Sequence, residues 1–238
     1  MADLHGGFPI DEAIMDLKGS SGLWGPRQEP ASGGAAKQLV LLLHGLGADG
    51  NDLIGLAPVL SQVLPDAAFV SPHAPEACDM APTGYQWFSL QSRDPEGLLS
   101  GVDAARPVLD AFIDSQLEHY GLDESKLAVV GFSQGTMTAL HCLPRRDKAC
   151  ACILGFSGML IAPEKLAAEV RSRPPVLLVH GEADEVLPIS ALPAAEAGLG
   201  QAGIEVETLR RPGLGHGIDE EGLSRGAALL TRSFAAAG

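Results

Sequence analysis

The chain has 238 residues, 46% apolar and 19% charged, with 29 glycines and 17 prolines set between the apolar runs. That much apolar side chain can fill a packed core, which excludes a disordered acidic tail. Lys and Arg number 16 against 30 Asp and Glu, and the net charge of −14 repels phosphate backbones and anionic lipid surfaces.

Nucleic-acid partners are therefore not expected, and neither is a membrane span. The unbroken apolar runs, such as Leu39 to Leu43, fall far short of the ~20 residues a bilayer requires. The opening Met1-Ala-Asp-Leu-His5 lacks the basic start and apolar centre of a signal peptide, so the expected location is the cytoplasm. Cys78 and Cys142 are isolated, while Cys150 and Cys152 would point to opposite faces of a strand. All four read as reduced, apolar fillers.

Residues 18–37 are rich in Gly, Ser and Pro and read as an irregular approach to the first strand, 38–43. A helix is expected over 52–63 and a second strand over 67–70. The stretch 71–101 has no clear period and carries Pro72, Pro75, Pro82, Trp87 and Phe88. Structureless loops beyond about 12–15 residues often cover active sites, so this one is expected to face substrate. Then follow a helix over 102–119, a strand over 126–130 and a helix over 134–143, which Pro144 stops. Strand 151–154, helix 163–171, strand 176–179, helix 189–202, strand 204–209 and helix 220–234 complete the chain. Most of the strands are apolar throughout, the pattern of a sheet covered on both faces. The alternation predicts one α/β domain over 1–238, with a mostly parallel central sheet flanked by helices on both faces.

Gly131-Phe-Ser133-Gln-Gly135 is the most informative stretch, because it joins an apolar strand directly to a helix. Gly-x-Ser-x-Gly in that context is a nucleophile elbow, which lifts the Ser133 hydroxyl above the sheet edge. The helix N-terminus behind it directs free N–H groups at developing oxyanion charge. The alternative is an incidental buried serine in a strand-to-helix turn. A base and an acid should follow in the order Ser, acid, His. His216, in Gly213-Leu-Gly-His-Gly217, follows the last strand and precedes the last helix. His44 and His180 each end a strand, His119 and His141 belong to helices, and His5 and His73 precede the serine. Asp184 stands in the turn after the apolar strand at 176–179, with Glu182 and Glu185 as competitors. Asp219 reads better as a helix cap.

Two oxyanion donors are expected: the N–H of Gln134, and the N–H of Leu46 in the loop Gly45-Leu-Gly47 after the first strand. The P-loop spacing fails here, because no Lys-Ser or Lys-Thr follows the glycines. The spacing of Gly45, Gly47 and Gly50 touches the dinucleotide fingerprint, but no acidic strand end follows some twenty residues on. Metal-ligand spacing such as His-Glu-x-x-His is absent, and no cofactor is implied.

Leu43-His-Gly-Leu-Gly, Trp87-Phe, Gly131-Phe-Ser-Gln-Gly, His180-Gly-Glu-Ala-Asp and Gly215-His together resemble the phospholipase/carboxylesterase branch of the α/β-hydrolase superfamily, which includes acyl-protein thioesterases. The resemblance runs from Leu39 to Ile218. It implies an α/β-hydrolase fold, a triad of Ser133, Asp184 and His216, and oxyanion donors at Leu46 and Gln134. Eukaryotic thioesterase-like members usually place Asp directly after Gly-Leu-Gly, whereas here Ala48 intervenes before Asp49. Gly84-Tyr-Gln-Trp-Phe-Ser-Leu looks like the bacterial carboxylesterase type. Small to medium acyl esters are therefore the expected substrates, with Trp87 and Phe88 expected in the acyl pocket. Acyl thioesters and lysophospholipids are the alternative, and a hydrolase-fold binding protein without catalysis is a further one. Members often form homodimers, so a homodimer is a candidate assembly here.

Overall fold

The computed structural model describes residues 22–236. The strands are β1 (Arg27–Gln28), β2 (Gln38–Leu43), β3 (Ala67–Val70), β4 (Glu76–Ala77), β5 (Tyr85–Gln86), β6 (Leu127–Phe132), β7 (Cys152–Phe156), β8 (Val176–Gly181) and β9 (Val206–Arg211). The helices are α1 (Gly50–Ile54), α2 (Ala57–Leu60), α3 (Pro95–Tyr120), α4 (Gln134–Cys142), α5 (Pro163–Glu169), α6 (Ala191–Gln201) and α7 (Glu220–Ala236). Seven strands form one sheet in the order β1-β3-β2-β6-β7-β8-β9, parallel except where β1 meets β3. β4 and β5 form a separate antiparallel pair.

The continuous apolar strands have a direct physical cause. Successive side chains alternate between two faces, and both faces are covered. Leu39, Leu41 and Leu43 of β2 pack with Leu109, Phe112 and Ile113 of α3, with Leu140 of α4 and with Leu199 of α6. Val40 and Leu42 point the other way, into a second core with Leu53, Leu60, Leu229 and Phe234 from α1, α2 and α7. In β7, Ile153 joins the first core while Cys152, Leu154 and Phe156 join the second.

Several expected boundaries move. The helix expected over 52–63 is two short helices, because the segment breaks at Gly55-Leu56 before Pro58, which lacks an N–H to donate. α3 begins at Pro95 rather than 102: Asp94 caps it, accepting from the Gly97 N–H at 2.9 Å, and proline suits the first helical turn. The stretch 71–101 is thereby shortened at its end and braced within by β4 and β5. Residues 18–21 lie outside the described residues, and the remainder of the irregular approach contains the short edge strand β1. Among the described residues no helix is long and apolar enough to cross a membrane.

Candidate active site

The site lies along the carboxyl edge of the parallel strands, where chain turns leave backbone groups and side chains unclaimed by the sheet. β2 runs into His44-Gly45-Leu46-Gly47, and β6 into Ser133. Asp184 follows β8, and His216 lies between β9 and α7. Because β2 and β6 are hydrogen-bonded neighbours, the glycine loop stands directly beside the serine. A Cβ on Gly45 would come within 3.3 Å of the Ser133 Cβ.

Ser133 has φ 53 and ψ −115, a conformation that costs a non-glycine residue about 1–3 kcal/mol. The surroundings hold it there. Its N–H donates to the Phe156 carbonyl of β7 at 2.9 Å, and its own carbonyl accepts from the Met137 N–H at 3.1 Å. The turn is tight enough to require glycine on both sides. A Cβ on Gly135 would lie 1.9 Å from the Leu43 carbonyl oxygen, and one on Gly131 would lie 2.5 Å from the Thr136 nitrogen. The N–H groups of Gln134, first in α4, and of Leu46 donate to no other described residue.

His216 Nδ1 donates to Asp184 Oδ2 at 2.8 Å. That bond commits Nδ1 to carrying the proton and leaves Nε2 with its lone pair. The Phe132 ring lies 4.9 Å from the imidazole, centroid to centroid, and restricts its tilt. The other Asp184 oxygen accepts from the N–H groups of Val186 and Leu187, both at 2.9 Å. Burial would raise the Asp184 pKa, but the Leu187 N–H, the His216 imidazole and the Val186 N–H outweigh it and hold the carboxyl below its ordinary value. Asp184 is thus kept anionic.

The competing residues go elsewhere. Glu182 and Glu185 are exposed, and Asp219 caps α7 through the Gly222 N–H at 2.9 Å while its other oxygen accepts from Arg211 at 2.7 Å. His44 is buried with both nitrogens occupied: Nδ1 donates to the Gly45 carbonyl at 2.7 Å and Nε2 accepts from the Ala74 N–H at 3.0 Å. His73 accepts from the Gly50 N–H, His141 faces Asp103, and His119 accepts from Arg27 at the surface. His5 lies outside the described residues. His180 is closer to the chemistry than its strand-end position suggested. Its Nε2 donates to the Leu187 carbonyl at 3.0 Å and lies 3.4 Å from Asp184 Oδ2, so it braces the turn that presents the carboxylate.

A cavity of about 380 Å³ opens over this edge, with Ser133, His216, Gly45 and Leu46 in its wall. The rest of the wall is mostly apolar, from Leu90, Leu98, Met137, Met159, Val186 and Leu187, with Arg93 as its one arginine or lysine. A larger groove of about 470 Å³ opens at the opposite end of the strands, near Ser125, Pro175 and Glu205, and contains no nucleophile beside a base. Its Cys150 is buried, which pushes the thiol pKa far up and leaves it unreactive.

Trp87 and Phe88 are the correction. Both are buried, Trp87 with 1% of its surface exposed, and both pack in the core beneath the sheet edge rather than in the cavity wall. The Trp87 indole N–H donates to the His44 carbonyl at 3.0 Å. The Gln134 side chain accepts from the Trp87 N–H at 2.9 Å and donates to the Phe88 carbonyl at 2.7 Å. These bonds hold the segment down, with both rings among the buried core residues. Sequence reasoning overlooked Met137, which lies one helical turn beyond Ser133 and was identifiable by that spacing. It also overlooked the Gln134 side chain, for which no local pattern gave a signal. Among the described residues no group of three or more His, Cys, Asp or Glu is placed to hold a metal.

A parallel sheet with helices on both faces and a strained serine at the strand-to-helix turn defines an α/β hydrolase. The chain belongs to the phospholipase/carboxylesterase family, whose profile matches residues 30–231. The esterase YpfH of Escherichia coli (strain K12) is 28% identical over 188 residues, covering 79% of each chain. A probable carboxylesterase of Oryza sativa subsp. japonica is 30% identical over 216 residues, covering 83% of this chain and 78% of the relative. Among solved structures, esterase PE8 superposes with a TM-score of 0.84 at 42% identity, covering 88% of this chain and 98% of the other.

Proposed function

We propose that the chain is a serine carboxylesterase that hydrolyses small to medium acyl esters, with Ser133 as nucleophile, His216 as base and Asp184 as its anionic partner. The observation that carries this reading is the 2.8 Å bond to a buried, anionic Asp184 from His216, which shares a cavity wall with the strained Ser133. In the mechanism, His216 Nε2 takes the hydroxyl proton as Ser133 Oγ attacks the ester carbonyl. Asp184 stabilises the resulting imidazolium. The N–H groups of Leu46 and Gln134 are free to receive the oxyanion, since neither serves another described residue. The imidazolium then protonates the leaving alcohol, and an acyl-enzyme remains on Ser133. Water, deprotonated by the same imidazole, releases the carboxylic acid and restores the hydroxyl. Cys78, Cys142, Cys150 and Cys152 are all buried free thiols, which supports work in a reducing compartment such as the cytoplasm.

The test is hydrolysis across acyl lengths, offered as oxygen esters and as thioesters, with Ser133→Ala alongside. A folded Ser133→Ala should lose at least ~10³-fold in kcat/KM, and retention of half the wild-type rate would remove Ser133 from the mechanism. A uniform preference for thioesters would move the assignment to the thioesterase alternative.

A further inference from the structure

We infer that Arg93 is a specificity-determining residue, and that the preferred ester carries one negative charge, a carboxylate, at the end of its chain that reaches the cavity mouth. This rests on the esterase reading above. Arg93 lies on the segment leading into α3 and is the one arginine or lysine in the wall of the Ser133 cavity. It makes no ion pair or hydrogen bond with another described residue. Arg106, Arg145, Arg146, Arg171, Arg211, Arg225 and Arg232 are paired with acids, whereas Arg93, like Arg27, Arg173 and Arg210, has no acidic partner among the described residues and, unlike those three, stands in the cavity wall. The acid next to Arg93 in sequence is already committed, because Asp94 accepts from the Gly97 N–H through one oxygen and from the Ser92 hydroxyl through the other.

The geometry therefore combines a mostly apolar wall for a hydrocarbon chain with an uncommitted guanidinium at its rim. A net charge of −14 repels anions in general, so a lone cation at the mouth offsets that repulsion at the one place where a substrate enters. One guanidinium balances one unit charge, and its planar fork matches a carboxylate through two parallel hydrogen bonds. A phosphate dianion would leave charge uncompensated.

The probes are pairs of ethyl esters of equal acyl length, one neutral and one ending in carboxylate, such as ethyl hexanoate and monoethyl adipate. Shorter and longer monoethyl dicarboxylates extend the series, and the best length reports the reach from Ser133 to Arg93. The readout is the ratio of kcat/KM for the charged ester to that for its neutral partner. Arg93→Gln should lower this ratio about tenfold, as expected for a charge-assisted contact in a partly screened site, and Arg93→Lys should restore part of it. Added salt should raise the ratio in Arg93→Gln, where it screens only the repulsion by the net negative charge, and should raise it less or lower it in the wild type, where it also screens the attraction to Arg93. An unchanged ratio in Arg93→Gln overturns the inference. So does a phosphate-ended ester of the same length that gains more from Arg93 than the carboxylate does. Activity on the neutral ester that survives in Ser133→Ala would instead defeat the esterase reading, so the two failures are distinguishable.

Discussion

Trp87→Ala tests whether this tryptophan acts through packing or through the substrate. Its indole is 1% exposed, and its N–H donates to the His44 carbonyl at 3.0 Å, directly behind the glycine loop. Truncating a buried aromatic side chain costs about 3–5 kcal/mol through lost burial and the cavity left behind. The orphaned His44 carbonyl belongs within the same loss. For a chain of this size, 1 kcal/mol moves Tm by about 2–4 °C, so a mid-range loss of about 4 kcal/mol lowers Tm by about 8–16 °C. Trp87→Phe keeps most of the ring and loses the hydrogen bond, so it should fall by a smaller amount. Thermal melts should be read beside the acyl-length dependence of kcat/KM on protein that remains folded. The expected result is a large drop in Tm with an unchanged length profile. A variant that melts like the wild type but shifts its preferred acyl length would refute the placement of Trp87 in the core.

Asp184→Asn should reduce kcat by about 10⁴-fold, because an amide N–H facing His216 Nδ1 reverses the tautomer and removes the basic lone pair from Nε2. Glu182→Gln and Glu185→Gln should stay near wild type, and steady-state rates on one ester distinguish the three. Stability should fall as the solution is acidified below neutrality. Burial foremost holds the His44 pKa below its ordinary value, so the unfolded chain takes up the proton first as pH falls. Unfolding free energy therefore rises with pH up to about 6.5 and then levels off, with a slope from this residue of at most about 1.4 kcal/mol per pH unit. Denaturant midpoints between pH 5 and 8 check this, and a stability that increased on acidification through that range would contradict a neutral, buried His44.

Much of the fold could be read from local pattern because the strands are buried on both faces. An unbroken run such as Leu39 to Leu43 has few other places to go, and β2, β3, β6 and β8 begin at or within a residue of their expected positions. The elbow was legible for a related reason. Ser133 needs glycine at 131 and 135, where a Cβ would strike backbone, so the steric requirement is written directly into the residues. The order of serine, acid and histidine narrowed the remaining candidates. Choosing Asp184 over Glu182 and Glu185 was another matter, since their chain positions are nearly the same. The proposal of Asp184 is supported by the Val186 and Leu187 N–H groups and the His216 ring, which surround that one carboxylate.

Short elements and side-chain destinations were the parts left to tertiary structure. β1 exists because β3 offers an unpaired edge, and β4 and β5 because two distant residue pairs meet across a loop. Neither has a local apolar period of its own. Trp87 and Phe88 show the same limit from the side of packing. Aromatic area leaves water equally well in a pocket wall or in a core, and composition alone cannot tell those apart. In this fold both rings pack in the core, and the Gln134 side chain binds backbone groups on either side of that segment. The cavity wall passes instead to Leu90, Leu98, Met137, Met159 and Arg93, residues that reach a common surface only when the ends of several parallel strands are brought side by side.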